Sequence, residues 1–177
     1  RWGTPQYIRE AASARSRRVD GPAFEPEVIA HLHESKRLLV ACSGGADSVY
    51  LLCLLSERAA EFNYQLHVAH YNHRWRGPAS ARDAAFVEAL SAALSLPFIG
   101  DARPSNEAAF TETTARALRL EFLRKAARYF ECEAIAYGHQ LDDVIETQLQ
   151  RIARGCGSEG LAAPRPVAFF EEDPKHL

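Results

Sequence analysis

One short segment of the sequence has the composition of a loop that binds phosphate. It reads S-G-G-A-D-S and lies between an apolar run and an amphipathic run. Its two glycines allow a close backbone approach, amides at the start of a helix attract anions, and its two serines add hydroxyl donors. It lacks the lysine of the G-x-x-x-x-G-K-S/T loop and the spacing of G-x-G-x-x-G, so it predicts a pyrophosphate cradle of another kind. The predicted binding residues are Ser43, Gly44, Gly45, Ala46, Asp47 and Ser48.

A second polar segment, His70 to Gly77, combines groups that suit a nucleotide. It reads H-Y-N-H-R-W-R-G. Imidazole and amide groups can contact base edges, guanidinium groups can contact phosphate, and an aromatic ring can stack on a base. Structural or surface roles are the main alternative. A metal site is a weaker one, because H-x-x-H without a neighbouring cysteine is poor evidence for zinc.

Three carboxylates, those of Asp142, Asp143 and Glu146, open the last predicted helix. Spacings of three and four residues place them on one helix face. Carboxylates beside a triphosphate can hold Mg²⁺, which prefers oxygen ligands and bridges phosphates. A structural alternative stays open for these acids, because acids in a first turn also stabilise a helix dipole. A second one concerns the S-G-G-A-D-S segment, where Asp47 or Ser48 could cap the helix that follows strand one.

Arginines complete the set of charged candidates. Glu112 and Arg116 are four residues apart, and Arg116 and Arg119 are three apart, which also suits a ladder of surface ion pairs. Arg151 and Arg154 adjoin the segment G-C-G-S-E-G. Its three glycines suggest a loop that closes over a substrate, or a linker.

Short apolar runs alternate with helical patterns along the chain. Strands are predicted over 38–42, 66–70, 97–99 and 134–137, and helices over 47–60, 78–94, 112–130 and 142–153. This order predicts an α/β fold: a parallel sheet with helices on both faces. Right-handed crossovers bring the loops after the strands to the carboxyl edge of the sheet, where such folds bind ligands. The candidate segments follow strands one, two and four.

Composition limits the classes of protein that the chain could represent. The 177 residues are 47% hydrophobic and carry a net charge of −2 with neutral histidines, so any nucleic acid must be bound by a local patch. No apolar run is long enough to span a membrane. The four cysteines, at positions 42, 53, 132 and 156, form no C-x-x-C pair. This spacing argues against a zinc ribbon or a redox dithiol and favours a reducing, cytoplasmic location.

Two regions are expected. Residues 1–23 are rich in arginine and poor in acids, as in a flexible basic leader or an arm that touches RNA phosphates. Residues 24–177 are expected to form one domain. The absence of methionine, with Arg at position 1, suggests that the visible start is not the translation start. The lack of a clear stop signal near Leu177 suggests that this domain is truncated at its C-terminal side.

Five segments together resemble the N-terminal catalytic domain of the tRNA(Ile)-lysidine synthetase family, within the PP-loop ATP pyrophosphatases. They span about residues 38–161 in the family's order. The segments are S-G-G-A-D-S, H-Y-N-H-R-W-R-G, E-T-T-A-R, G-H-Q-L-D-D-V-I-E-T and R-G-C-G-S-E-G-L.

The resemblance implies a Rossmann-like PP-loop fold and a two-step reaction. ATP adenylates the C2 carbonyl oxygen of the wobble cytidine in a CAU-anticodon tRNA(Ile), and pyrophosphate leaves. Free L-lysine then displaces AMP to give lysidine, because adenylation turns the carbonyl oxygen into a leaving group. ATP, Mg²⁺, the tRNA and lysine are the implied ligands, with a homodimer as one possible assembly.

The resemblance also implies roles for individual residues. Residues 43–48 would hold ATP, and Asp47 and Asp143 would hold Mg²⁺. Asp143, Asp47, His139 and Arg116 would be catalytic, with Arg116 neutralising charge that develops during adenylation. His70, Asn72 and Arg154 are assigned to the nucleotide or cytidine pocket.

The sequence departs from the family at some positions, and two other functions compete. Gln140 stands where the family often has histidine, Val144 replaces a frequent glutamine, and the stretch after Leu161 differs. A tRNA thiolase of the same superfamily would need paired cysteines for sulfur or an iron–sulfur cluster. A non-catalytic module that binds ATP or RNA would not need the charged set described above.

Overall fold

The computed structural model describes residue 24 and residues 26–103 and 111–138. The predicted leader, the last predicted helix and the glycine-rich segment after it lie outside these residues. Four helices and four strands alternate in the described part. In chain order they are α1 (Pro26–Glu34), β1 (Arg37–Ala41), α2 (Ala46–Phe62), β2 (Gln65–Asn72), α3 (Pro78–Ala93), β3 (Phe98–Ala102), α4 (Glu112–Tyr129) and β4 (Ala134–Tyr137).

The strands form one parallel sheet in the order β3-β2-β1-β4. Leu39 of β1 pairs with His67 on one side and with Ile135 on the other. The predicted α/β fold with a parallel sheet is therefore confirmed. The strand order reverses beside β1, and the crevice between β1 and β4 is the place where such sheets bind ligands.

Helices cover both faces of the sheet, as predicted. On one face, Val40 and Val68 of the strands pack with Leu52 of α2 and with Val87 and Leu90 of α3. On the other face, Leu39 and Ala69 pack with Phe122, Leu123 and Ala126 of α4. Neighbouring strand residues thus alternate between two cores, which requires apolar side chains on both faces of β1 and explains its uninterrupted apolar run.

Local sequence signals account for several element ends. Pro78 occupies the first turn of α3, where its missing amide hydrogen costs nothing. The Thr111 side chain caps α4 by accepting a hydrogen bond from the Thr114 amide at 3.2 Å. Asn63 ends α2 in the left-handed conformation that asparagine tolerates. Most predicted elements differ from the observed ones by one to three residues, but α1 was not predicted.

None of the described helices combines the length and the apolar character that crossing a membrane would need.

The fully buried Leu52 provides a test of the first core. Leu52→Ala should lower the free energy of unfolding by about 2–5 kcal/mol, because it removes buried methyl groups and leaves a cavity. Tyr50→Ala on the same helix is the control, since Tyr50 is exposed, and it should change this free energy by about 0.5 kcal/mol or less. Urea unfolding measures both. Equal losses in the two variants would contradict the described packing.

Candidate nucleotide site at the carboxyl edge of the sheet

A cavity of about 280 Å³ lies at the carboxyl ends of β1, β2 and β4. Its wall brings together the first polar segment and part of the second, as the sequence predicted for this edge, and it also includes one face of α4, which the sequence analysis did not place there. The wall residues are Ala41, Cys42, Ser43, Gly45, Asp47, Ser48, Ala69, Tyr71, His73, Arg119, Leu123, Tyr137 and Gly138.

A larger hollow, about 470 Å³, lies at the opposite edge of the sheet near Lys36 and Gln65. It contains none of the residues singled out by the sequence. The Glu133 carboxylate already accepts hydrogen bonds there from the amides of Lys36 and Arg37. The cavity at the carboxyl edge is therefore the better candidate for a binding site.

The loop between β1 and α2 is closed by its own serine hydroxyls. Ser48 Oγ donates to the Gly45 carbonyl at 3.0 Å and accepts from the Ser43 amide at 3.1 Å. Ser43 Oγ lies 3.0 Å from Ser48 Oγ and accepts from the Gly45 amide at 3.3 Å. Ser48 is buried. Both hydroxyls thus stabilise the loop, and their predicted contact with a pyrophosphate stays a prediction.

The first turn of α2 has no side-chain cap. Gly45 occupies the cap position without a side-chain hydrogen bond, and Ser48 Oγ donates to a carbonyl instead of accepting from an amide. The N-cap position therefore belongs to Gly45 and not to Asp47 or Ser48. Amides of a first helical turn lack partners within the helix, and together with the helix dipole they favour an anion.

Two glycines allow the loop between β1 and α2 to pack closely against α3 and the end of β4. Gly44 has φ +88°, and a Cβ there would lie 3.2 Å from Cβ of Asp83 on α3. A Cβ on Gly138, at the end of β4, would lie 2.9 Å from Cα of Ser48 and 3.0 Å from its nitrogen. A side chain at Gly138 would therefore displace the start of α2.

His70 and Asn72 brace the second polar segment. His70 is buried, and its Nδ1 donates to the Cys42 carbonyl at 2.8 Å. Asn72 Oδ1 accepts from the Arg74 amide at 2.8 Å, and its Nδ2 donates to the Ser80 carbonyl at 3.2 Å. Neither residue belongs to the cavity wall. Their assignment to a nucleotide or cytidine pocket stays a prediction.

Arg119 is a wall residue to which the sequence analysis gave no role in the site. Its Nε is buried and has no hydrogen-bond partner among the described residues. Burial, with the nearby charge of Arg116, lowers the pKa of Arg119, yet a guanidinium keeps its charge in proteins. Arg116 is exposed and outside the wall. The spacing of the buried residues Ala115, Phe122 and Ala126 could have shown that Arg119, rather than Arg116, lies on the inner stripe of α4.

The remaining predicted site residues lie outside the described part. They are His139, Asp143 and Arg154. Asp47, the other predicted metal ligand, is exposed in the cavity wall. Within residues 26–103 and 111–138, no group of three His, Cys, Asp or Glu side chains could hold a metal ion.

The three described cysteines have separate surroundings. Cys42 Sγ donates to Ser48 Oγ at 3.7 Å, Cys53 lies within α2, and Cys132 Sγ is 3.6 Å from His67 Nδ1. Burial raises the pKa of each thiol, to about 11 for Cys53 and Cys132. Ligation and nucleophilic attack need a thiolate, which these surroundings disfavour.

Buried imidazoles should make stability depend on pH. Burial lowers the pKa of His67, His70 and His73 below 6.5; for His70 the Cys42 carbonyl and Asp83 oppose the shift. As the pH falls below about 6.5, the unfolded chain binds protons that the folded imidazoles do not, so the free energy of unfolding decreases.

His70→Asn tests this prediction, since an asparagine amide can still donate to the Cys42 carbonyl. Urea unfolding between about pH 7.5 and 5.5 should show a smaller decrease in this variant than in the wild type. Identical slopes would mean that His70 does not contribute to the pH dependence.

Comparison with known proteins identifies the family. The PP-loop domain family matches residues 22–172. Two curated proteins, each named tRNA(Ile)-lysidine synthase, come from Gloeobacter violaceus and Dehalococcoides mccartyi. They are 44% identical over 129 residues and 40% identical over 135 residues, covering 71% and 73% of this chain. The chain spans 38% and 29% of their lengths.

A solved structure shows the same fold. It is the U34-tRNA thiolase NcsA from Methanococcus maripaludis with its 4Fe-4S cluster, with a TM-score of 0.60 and 17% identity. The alignment covers 88% of this chain and 53% of that one. With the parallel sheet, the glycine-rich loop after β1 and the match over residues 22–172, these findings show that the chain belongs to the PP-loop domain family.

Proposed function

We propose that the chain is the ATP-binding catalytic part of a tRNA(Ile)-lysidine synthetase. The observation that carries this proposal is the cavity between β1 and β4, whose wall combines an uncapped helix start with the half-buried Arg119. Fixed amides and a desolvated cation suit the phosphates of ATP. The similarity to curated lysidine synthases supports the choice of substrate.

In the proposed first step, the C2 carbonyl oxygen of the wobble cytidine attacks the α-phosphorus of ATP. The bond between the α-phosphorus and the bridging oxygen breaks, and pyrophosphate leaves. The first-turn amides of α2 and Arg119 would hold the phosphates, while Arg116 would neutralise charge that develops there. In the second step the ε-amine of lysine attacks C2, loses a proton, and AMP leaves with the former carbonyl oxygen.

Asp47 would supply one ligand to Mg²⁺ in this proposal. Its exposed carboxylate in the cavity wall fits this ion, which usually takes one or two protein carboxylates and completes its shell with phosphates and water. When bound, Mg²⁺ neutralises phosphate charge. Asp143 is proposed as a second ligand and catalytic carboxylate, and His139 as a neighbour of the phosphates. A cytoplasmic location and a homodimer complete the proposal.

The reaction itself is tested on the full-length protein. CAU-anticodon tRNA(Ile) incubated with ATP and lysine should gain the mass of one lysine less one water, and AMP and pyrophosphate should appear. The same tRNA with a GAU anticodon is the control, because it lacks the wobble cytidine. A mass change equal to sulfur replacing oxygen, or a gain without lysine, would contradict the proposal.

Arg119 provides a test of the ATP site. Arg119→Gln should weaken ATP binding by at least about 10-fold, since a charged hydrogen bond contributes roughly 1.5–3 kcal/mol. The control is Arg128→Gln, which removes the same charge from the exposed last turn of α4. Calorimetric titration with a non-hydrolysable ATP analogue, without RNA, measures both. Equal affinities in the two variants would remove Arg119 from the site.

A further inference from the structure

The loop between β2 and α3 carries an aromatic ring that the proposed ATP site does not use. Trp75 is 55% exposed. Its indole stacks on the His73 imidazole, with ring centroids 5.0 Å apart and 21° between the planes. His73 belongs to the cavity wall and Trp75 does not. Trp75 is therefore one ring contact away from the cavity wall.

A chain of ring contacts connects this indole to the core. His73 meets Tyr71 edge-on at 5.0 Å, and Tyr71 lies 5.6 Å from Phe122 of α4. Phe122 is buried in the second core. The exposed indole is thus connected to the core by a series of packed rings. These contacts restrict its position more than that of a tryptophan on a loop without such contacts.

The backbone of the same loop is also held in place. Arg74 has a left-handed conformation, φ +58°, which arginine rarely adopts, and its amide donates to Asn72 Oδ1. The Arg76 amide donates to Ser80 Oγ at 3.1 Å, and its guanidinium pairs with Asp83 at 2.7 Å. A surface organised before binding loses less conformational entropy when a ligand docks.

Charge around the ring favours a polyanion. Arg74 and Arg76 flank Trp75 in sequence, and the segment from His73 to Gly77 contains no acid. Arg74 is exposed and makes no ion pair with the described residues. An exposed indole beside a cation is a combination that binds unpaired bases of a nucleic acid: the ring stacks on a base and Arg74 can meet a phosphate, while Arg76 is already paired with Asp83.

We propose that Trp75, stacked on His73, is a platform for an unpaired RNA base next to the base that enters the cavity. This inference rests on the proposed tRNA substrate. A cavity of about 280 Å³ is slightly below the usual range of small-molecule pockets, about 300–1,000 Å³, so only a small part of a polynucleotide can lie inside it. The adenine of ATP could stack on the indole in the same way, and the experiment distinguishes an RNA base from this adenine.

Trp2 and Trp75 are the two tryptophans of the sequence, so a Trp2→Phe chain reports on Trp75 by fluorescence. An anticodon stem–loop RNA with a CAU loop should quench this signal. A blunt RNA duplex with the same number of phosphates should not, because its bases are already stacked. Quenching by a non-hydrolysable ATP analogue alone would overturn the proposal by identifying the base as adenine.

Substitution separates stacking from charge. Trp75→Ala should weaken binding of the stem–loop by about 5- to 150-fold, the equivalent of ~1–3 kcal/mol, while Trp75→Phe retains most of the affinity. Both should bind the ATP analogue as the wild-type chain does, which also verifies folding. Arg74→Gln should instead reduce the slope of the logarithm of the RNA-binding constant against the logarithm of the salt concentration by about one.

The outcomes distinguish this inference from the function on which it rests. Stem–loop binding that is unchanged in Trp75→Ala, or equal quenching by duplex and stem–loop, overturns the platform and leaves lysidine formation intact. Failure of the wild-type chain to bind either RNA overturns the platform together with RNA binding by this part of the protein.

Discussion

The structure depends on a close contact between three backbone segments where β1 and β4 are neighbours. The loop between β1 and α2 is confined on one side by α3, which approaches Gly44 so closely that a Cβ would lie 3.2 Å from Cβ of Asp83. On the other side the end of β4 approaches Ser48, leaving no room for a Cβ on Gly138. The strand order 3-2-1-4 is what brings β4 to this position, because its crossover returns over the sheet to the far side of β1. The cavity is thus a direct consequence of the topology.

This confinement divides the polar groups of the site into two sets. The hydroxyls of Ser43 and Ser48 and the amide of Asn72 are engaged in closing their own loops. The cavity wall also contains the first turn of α2, with the Asp47 carboxylate, and the Arg119 guanidinium, whose Nε has no hydrogen-bond partner among the described residues. Amides and one cation recognise phosphate, which is the same in every nucleotide. In the proposed nucleotide complex, base selection would therefore come from the aromatic side of the wall, where Tyr71 and His73 lie.

The sequence predicted the sheet, its parallel strands and the edge that carries the candidate site. These features could be predicted because apolar runs and helical periodicity are local signals, and the packing of the folded chain agrees with them. It predicted Ala134–Tyr137 as a strand without error. Short α1 was missed, since one buried leucine gives little periodicity. The role of Ser48 could not be predicted in the same way, because a serine in a glycine-rich loop can point toward a ligand or toward its own loop. Only the position of the Gly45 carbonyl, which accepts the hydrogen bond from Ser48 Oγ in the folded structure, decides. Arg119 was missed although the sequence carried a signal: the spacing of Ala115, Phe122 and Ala126 defines the inner face of α4, on which Arg119 lies and the exposed Arg116 does not.

Arg119 connects the stability of the fold with the affinity of the site. A half-buried guanidinium whose Nε lacks a partner among the described residues costs folding free energy, and the lowered pKa of Arg119 has the same physical cause, its burial. An anion that accepts a hydrogen bond from this Nε removes that cost, so ligand binding recovers free energy lost in the unliganded fold. Burial and the charge of Arg119 also lower the pKa of His73, which keeps this imidazole neutral at neutral pH. Among the described residues, the wall therefore presents the Arg119 guanidinium beside uncharged rings, an arrangement that fits the proposed binding of a phosphate and a base side by side.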